Sequence, residues 1–446
     1  MNFNRIFWLT NIGLAIYFGV WVGLQTWEQY LNKSVVLSIR RDHYSWNTSM
    51  PSLTICPNYE RISRNLFDIY AKNNKIKDDE KEDFYEFLNS MANASYATFK
   101  NIENFSSTDS VLNRLLITPN VYIRIISKLT EDKSQEDKFD TKIKNINDLE
   151  PIAVVRTLTD FGICYTTNNF LSNNLSTSFL LSNIYPDMEK YHYDVDKIMY
   201  VKHGNIFDGH LTYNFNGFNR LITIYLHSPY EVMNVAKPMG TTPDTMEFEV
   251  FSTELLSEPY LQENTWVIQR KCRFHNESNL EHFPVYTKNL CLSECRAKLM
   301  LEKCGCIPHF IPNRVQNPKR VCNWRELKEC ATLYEDMFIE FRRRLPNGTI
   351  EFIDCECMTN CEDTEIVVER IQKLSGASDI VGSLGGLVIT KKYPQVRYYR
   401  QQLFTFTDLL ISIGGAAGLF IGFSVKGLLQ IIHHFTWRLL TFRSEP

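Results

Sequence analysis

Two groups of residues in this chain have types and spacings suited to chemistry. The first is thiol. Twelve cysteines run from Cys56 to Cys361, ten of them between Cys272 and Cys361, with Cys-x-Cys and Cys-x-x-x-Cys spacings among them. Such spacings can ligate zinc; in an oxidising compartment an even number of cysteines reads instead as a disulfide framework. The second group is the apolar stretch SIGGAAGLFIGFSVKGLLQ, Ser412 to Gln430, with glycines at 414, 415, 418, 422 and 427. Glycine weakens a helix by roughly 1 kcal/mol relative to alanine, so a passive anchor has little reason to collect them. Gly414, Gly418 and Gly422 stand four residues apart and make a small-residue face on which helices can approach closely. No phosphate-binding loop, metal-ligand pair or nucleophile motif of diagnostic spacing occurs in the sequence, which argues against an enzyme and against a cofactor or metal.

The elements that must position these groups begin with two apolar runs. Ile6 to Gln25, IFWLTNIGLAIYFGVWVGLQ, has about the length needed to cross a ~30 Å hydrocarbon core at 1.5 Å per residue. It is longer than the apolar core of a signal peptide, roughly 7–15 residues, and Trp27 and Tyr30 follow it as interface residues do. The run from about Leu403 to Ile432 is the other segment long enough to span. Arg5 precedes the first run while Arg438 and Arg443 follow the second, so the positive-inside bias places both short tails in the cytoplasm. The expected order is an N-tail (1–5), a transmembrane helix (6–27), an extracellular region (28–402), a second transmembrane helix (403–432) and a C-tail (433–446). Sequons at Asn32, Asn47, Asn93, Asn104, Asn174, Asn276 and Asn347 all fall between the spans, where glycan acceptors must lie. All the cysteines fall there too, which favours bridges over zinc.

Within the extracellular region, residues 272–361 form a bridged substructure. CLSECRAKLMLEKCGC and RELKECATLYEDMFIEFRRRL both carry apolar residues at helical spacing, which predicts two antiparallel helices pinned by disulfides. DDEKEDFYEFLNSMANA from Asp78 predicts an exposed, acidic-fronted helix, and its charge run reads as a solvated face, with a cation-binding or proton-sensing patch as the alternative. PSLTIC, RLITIYL, MEFEVFS and GLVITKKY predict strands, giving an α+β domain. A net charge of −3 over 446 residues gives no basic footprint for nucleic acid, and 44% apolar content excludes extensive disorder.

MPSLTICPN (Met50 to Asn58), GICYTTN (Gly162 to Asn168), QRKCRF (Gln269 to Phe274), the cysteine block and DLLISIGGAAGLFIGFS (Asp408 to Ser424) occur in this order between two spans. Together they resemble the degenerin/epithelial sodium channel family, most closely its insect pickpocket branch, over nearly the whole chain. The resemblance implies a trimeric, sodium-preferring, commonly amiloride-sensitive cation channel of the plasma membrane. Two transmembrane helices would flank a large disulfide-rich ectodomain of palm, thumb and finger regions. Its bridge pattern implies Cys56 with Cys164 and a nested thumb set: Cys272 with Cys361, Cys291 with Cys357, Cys295 with Cys355, Cys304 with Cys330 and Cys306 with Cys322. It also implies that Gly422, Phe423 and Ser424 match the family's Gly-x-Ser element, where the second helix is interrupted and a narrow belt of carbonyl and serine oxygens faces the ion path. Unpaired backbone groups survive at membrane depth only where they line water or are buried in protein, and carbonyl oxygens can replace a cation's hydration shell. Gly422 and Ser424 are the expected filter residues, with Phe423 contributing mainly its backbone. The implied partners are sodium ions, membrane lipid and sister subunits in a homo- or heterotrimer.

The chain departs from its relatives at several positions. Only about five residues precede the first span, where relatives carry a longer tail with a gating His-Gly pair; either the gene model is truncated or gating is altered. Ahead of the IGG motif the family has a polar, often acidic, residue and a small residue whose replacement by a bulky one favours opening. Ser412 and Ile411 occupy those positions, so bulky Ile411 is expected to bias the pore open. Lys426 stands where relatives have an apolar residue, and Gln430 where they have glutamate. Lysines facing the lumen of a homotrimer ~8 Å apart would repel by about 2 kcal/mol per pair at an effective dielectric of 20, and would repel cations too. Alternatively Lys426 snorkels to the inner headgroups. The sharper expectation is a modulatory subunit whose partners supply the acidic groups absent at Ser412 and Gln430. Two other readings stand beside the channel. An ATP-gated-receptor-like channel would need a lysine-rich nucleotide pocket that the sequence does not display. A non-conducting two-span glycoprotein would leave the glycine-interrupted second run unexplained. His433 and His434 are expected among inner headgroups.

Overall fold

A computed structural model describes residues 3–58, 61–130, 141–144, 149–151, 154–181, 201–208, 211–218, 222–242, 246–313, 315, 317–345, 348–373, 385–422 and 425–433. The chain divides into two compact units, one formed by residues 1–38, 257–272 and 399–446, the other by residues 39–256 and 273–398.

The first unit is built on α1, Phe3–Lys33, a 31-residue helix. Its stretch Ile6–Lys33 is, among the described residues, the one helix long and apolar enough to cross a bilayer, and none of its apolar window is buried in the protein. The C-terminal apolar run is not one continuous helix. It splits into a 16-residue helix, Phe406–Ile421, and a 9-residue helix, Val425–His433. The first of these runs antiparallel to α1: Phe18 stacks on Phe420 at 6.2 Å between ring centroids, and toward the other end Tyr30 meets Phe406 at 6.3 Å and Phe404 at 6.4 Å. The backbone N–H groups of Leu403 and Phe404 both donate to the carbonyl of buried Ser34, at 2.8 and 3.2 Å, which ties the chain after α1 to the chain before Phe406.

The second unit is α+β. Its longer strands are β1 (Ser52–Pro57), β2 (Val154–Thr159), β3 (Gly162–Thr167), β4 (Leu211–Phe218), β5 (Ile222–His227), β6 (Met246–Ser257), β7 (Asp363–Lys373) and β8 (Gly385–Lys392). Each of the four segments with β-branched enrichment, PSLTIC, RLITIYL, MEFEVFS and GLVITKKY, contributes a strand. An antiparallel sheet runs β5–β1–β3–β2, buried on both faces at β1 and β3, which explains their near-continuous apolar and threonine runs. A second sheet pairs β6 antiparallel with β7 and parallel with β8, and β8 antiparallel with β4.

Helix α2, Asp78–Asn93, opens on Asp78, Asp79 and Glu80, where acids favour the positive end of the helix dipole, and buries Phe84, Phe87, Leu88 and Met91. They join an aromatic core with Phe67, Tyr96, Phe99, Phe310 and Phe338. The acidic run is a paired surface: Glu80 meets Arg114 at 2.6 Å and Glu82 meets Arg64 at 2.6 Å. The hydrogen bond from Arg114 holds the Glu80 carboxyl below its ordinary range, which counts against a proton sensor working near neutral pH.

Helix α3, Lys288–Cys304, is capped by Thr287, whose hydroxyl accepts from Leu290 N–H at 3.1 Å, and ends at Gly305 with φ +70°. The single second helix expected beside it is instead three short turns, Trp324–Glu329, Ala331–Tyr334 and Glu335–Glu340, broken at Cys330. Cys330 is bridged to Cys304 at the end of α3, so the chain bends to meet that anchor rather than continuing the amphipathic repeat. Cys306–Cys322 lies inside that loop, while Cys295–Cys355 and Cys291–Cys357 enclose it in turn. Cys56–Cys164 joins β1 to β3, and Cys272 and Cys361 are also disulfide-bonded. Glu326 lies near the Cys306 and Cys322 sulfurs, but these are joined to each other and are not thiolates available to a metal.

The β2–β3 turn depends on Gly162, at φ +75°. A Cβ there would lie 3.0 Å from the Arg61 guanidinium and 3.1 Å from the Ala92 carbonyl. Buried Arg61 donates to the carbonyls of Pro57, Ala92 and Phe161, stitching β1, the end of α2 and the turn together. Burial lowers its pKa to about 9. Gly162→Ala should therefore destabilise the protein by about 1–3 kcal/mol. Thermal unfolding of the purified chain measures this, and an unchanged midpoint would refute it.

Candidate functional site

The glycine-rich segment starts at a strong helix cap. Thr405 Oγ1 accepts from Asp408 N–H at 3.2 Å, while the Asp408 carboxylate accepts from Thr405 N–H at 2.8 Å and from its hydroxyl at 2.7 Å. This reciprocal pair fixes the start of α4, Phe406–Ile421. Leu409 and Ala416, seven residues apart, are buried on the side that carries Phe420. At about 100° per residue, Ile411, Gly414, Gly415 and Gly418 gather on the opposite side. Ile411 is 67% exposed, and a Cβ at Gly414 or Gly415 would meet no atom within 4 Å. Among the described residues, Gly414 and Gly415 thus answer to no neighbour within the chain, while Gly418 is half-buried.

The helix ends at Gly422, whose φ of +68° and ψ of 22° are left-handed. Its N–H turns back to the Gly418 carbonyl at 3.1 Å, and no atom lies within 4 Å of where a Cβ would be. Glycine is needed here for backbone conformation and not for space. The chain resumes as α5, Val425–His433. Gln430 is exposed, as is His433, and Ser412 is half-buried. Phe423, Ser424, His434 and the tail 434–446 lie outside the described residues, as do the side chain of Lys426 and the sequon Asn347. Of the other sequons, Asn32, Asn47, Asn104 and Asn276 are exposed and Asn174 is half-buried. The half-buried Asn93 donates its amide to the Asn89 carbonyl at 2.9 Å, which disfavours it as an acceptor.

Three buried polar junctions in the second unit were not legible in the sequence. Lys391, fully buried on β8, donates to the Thr48 hydroxyl and the Ser49 carbonyl, and burial lowers its pKa to about 8. Beside it Glu254 of β6 accepts from Ser49 N–H at 2.9 Å and pairs with Arg397, whose guanidinium lies over Trp46. On α3, Arg296 pairs with Asp160 at 2.9 Å, and Ser293 also donates to Asp160; burial pushes that carboxyl upward against both. After β5, Glu231 accepts from Val232 N–H and Asn360 Nδ2, both at 2.9 Å. Burial, reinforced by nearby Asp363, pushes its carboxyl up to about 7. The signal for these was faint: a charged residue inside an apolar helical or strand pattern, such as Arg296 or Lys391.

A helix able to span a bilayer, joined in one chain to a unit laced by disulfides, fits the class of membrane proteins that carry a disulfide-rich domain. The family model of the amiloride-sensitive sodium channel matches residues 1–434, and the chain belongs to that family of ion channels, which are not enzymes. It is 26% identical over 189 residues to pickpocket protein 28 of Drosophila melanogaster, covering 38% of this chain and 30% of that protein. It is 26% identical over 202 residues to the sodium channel protein Nach of Drosophila virilis, covering 42% and 50%. It is 27% identical over 186 residues to the bile acid-sensitive ion channel of Mus musculus, covering 36% and 35%. The matched segments therefore span half or less of these relatives' own length.

The Glu231 junction yields a pH prediction. Its folded pKa is raised, so the folded protein keeps a proton that the unfolded chain releases between about pH 4.5 and 7. The stabilisation is complete below that window and is lost as pH rises through 7, by up to about 3 kcal/mol. Glu231→Gln should flatten this part of the stability–pH profile in chemical denaturation; an unchanged slope would count against it.

Proposed function

We propose that this chain is a subunit of a sodium-preferring cation channel of the plasma membrane. The C-terminal run crosses the bilayer as a second, broken span, and both tails are cytoplasmic. Three such segments, from this chain or its kin, surround the ion path. Gly422, Phe423 and Ser424 form its narrow belt. The observation that carries this reading is the left-handed interruption at Gly422 between two apolar helices. Backbone groups freed at such a break must be satisfied by water or protein, and a water-filled path supplies the first. The open Ile411–Gly414–Gly415 face, turned away from α1, supports close approach of neighbouring copies. The relatives named for sodium transport support the ion.

Lys426 and Gln430 set the role within the assembly. A ring of three lysines would oppose cation passage, so the chain serves as a modulatory subunit beside partners that carry acidic groups at the equivalent of Gln430. Voltage clamp of cells expressing the chain with and without a co-expressed relative tests this, with sodium replaced by a large organic cation. The expected result is an inward current that depends on the partner and disappears on replacement. A robust sodium-selective current from the chain alone overturns the modulatory role, and a current indifferent to the replacement overturns the selectivity. In the same assay Ile411→Gly should lower the resting current severalfold by removing the bulk that favours opening, and an undiminished current would refute that assignment.

A further inference from the structure

The first unit contains a small platform outside the segment that the proposed ion path uses. Residues 257–272 fold into two short turns, Leu261–Asn264 and Val267–Arg270. Polar side chains turned inward hold it. The Gln269 side chain, 3% exposed, accepts from Trp266 N–H at 3.0 Å and donates to the carbonyl of Tyr30 on α1 at 3.2 Å. Buried Arg270 donates to the carbonyls of Thr265 and Cys272, and its own carbonyl accepts from Arg400 at 3.0 Å. These polar side chains lie inside the platform with Leu261, while three large apolar side chains stand outside it: Tyr260, Trp266 and Ile268 are 69%, 66% and 70% exposed, on a surface that also carries exposed Glu263, Asn264 and Lys271. Tyr260 also adopts a left-handed φ of +67°, which a bulky residue rarely accepts.

The height of the platform along α1 says what covers it. Counted from Ile6 at 1.5 Å per residue, a ~30 Å hydrocarbon core ends near Gln25. The Tyr30 carbonyl then lies about 7 Å further out, within the headgroup layer, which is roughly 5–8 Å deep on each side. Trp27, 44% exposed on the same helix, sits at that layer's inner edge. Tyrosine and tryptophan are the residues that partition there, with an apolar ring and a polar edge both accommodated.

We propose that Tyr260, Trp266 and Ile268 form an outer-leaflet anchor that inserts into the phospholipid headgroup–acyl boundary beside α1. The contact is made by ring and alkyl surface, so its ligand is the phospholipid interface in general rather than one headgroup. Because Gln269 bonds both Trp266 and Tyr30, the anchor is mechanically joined to the end of α1.

The proposal rests on α1 spanning the bilayer, and its test separates the two. The photoreactive residue p-benzoyl-phenylalanine is introduced in place of Trp266 in one full-length protein and in place of Trp21, 47% exposed in mid-helix, in another. Both are irradiated in cell membranes and analysed by mass spectrometry. Phospholipid adducts at both positions, similar in yield to within about threefold, are expected for an interfacial and a core residue of one lipid-facing surface. Lipid adducts at Trp21 with protein–protein crosslinks or no adduct at Trp266 overturn the anchor and leave the span intact. An absence of lipid at both overturns both. If the Trp266 variant fails to reach the membrane, the same probe in place of Ile268 reads the same outcomes.

Discussion

An apolar helix that ends at a left-handed glycine no longer offers its last carbonyls the N–H groups of a continuing helix. In water this costs little; inside a bilayer each unsatisfied group costs several kcal/mol. On the proposed reading, in which this run crosses the bilayer, the break at Gly422 requires water or protein from the surrounding assembly at that depth. The open stripe of Ile411, Gly414 and Gly415 and the α1-facing side with Leu409 and Ala416 lie on opposite sides of α4. One side of α4 is committed within the chain, and the other is the side that the proposed channel would offer to neighbouring copies. Thr405 and Asp408 define where the helix begins, and so set how many turns lie between the cap and the break.

The second unit obeys a different constraint. Its interior holds ionised or ionisable groups whose burial is costly unless each is paired. Each junction joins elements distant in sequence: Lys391 links β8 to Thr48 and Ser49, Arg296 links α3 to the turn after β2, and Glu231 links the end of β5 to Asn360. Removing one partner leaves a buried charge stranded, so these contacts hold a specific register where apolar packing alone would tolerate slippage. The nested bridges of residues 291–357 do the same for the helical region, fixing α3 against the returning chain.

How much of this was readable beforehand varied with the range of the interaction. Local signals read well. The acidic opening of Asp78–Asn93 and the β-branched strands are dictated by near neighbours, and the structure carries them at those positions, but the helix expected to be exposed buries Phe84, Phe87, Leu88 and Met91. The cysteine pairing was carried by family resemblance, since spacing alone permits many connectivities. What failed was continuity. The 324–340 segment has an amphipathic repeat suited to one helix, yet the bridge from Cys330 to Cys304 overrides it. The break in the run from Leu403 to Ile432 was expected from the resemblance to the Gly-x-Ser element, and the helix does end at Gly422, but hydropathy alone did not show it. Hydropathy averages over residues and cannot see a single dihedral. The buried polar junctions were invisible for the complementary reason, because each partner is ordinary alone and becomes informative only when the fold brings the other within 3 Å or so.

The glycines illustrate how a common residue serves separate ends within one segment. At Gly422 the requirement is conformational: φ is positive and there is ample room for a side chain. At Gly414 and Gly415 the backbone is ordinary helix, and room is again ample within the single chain. A helix accepting roughly 1 kcal/mol per glycine with no internal neighbour to justify it is shaped for something outside itself. In a bilayer, where lipid tails are as apolar as any side chain, hydrophobic burial cannot pull helices together, and close backbone approach is what remains. On the proposed channel reading, the conformational glycine and the packing glycines act on one object, a narrow passage whose walls must come close before a carbonyl belt can span it.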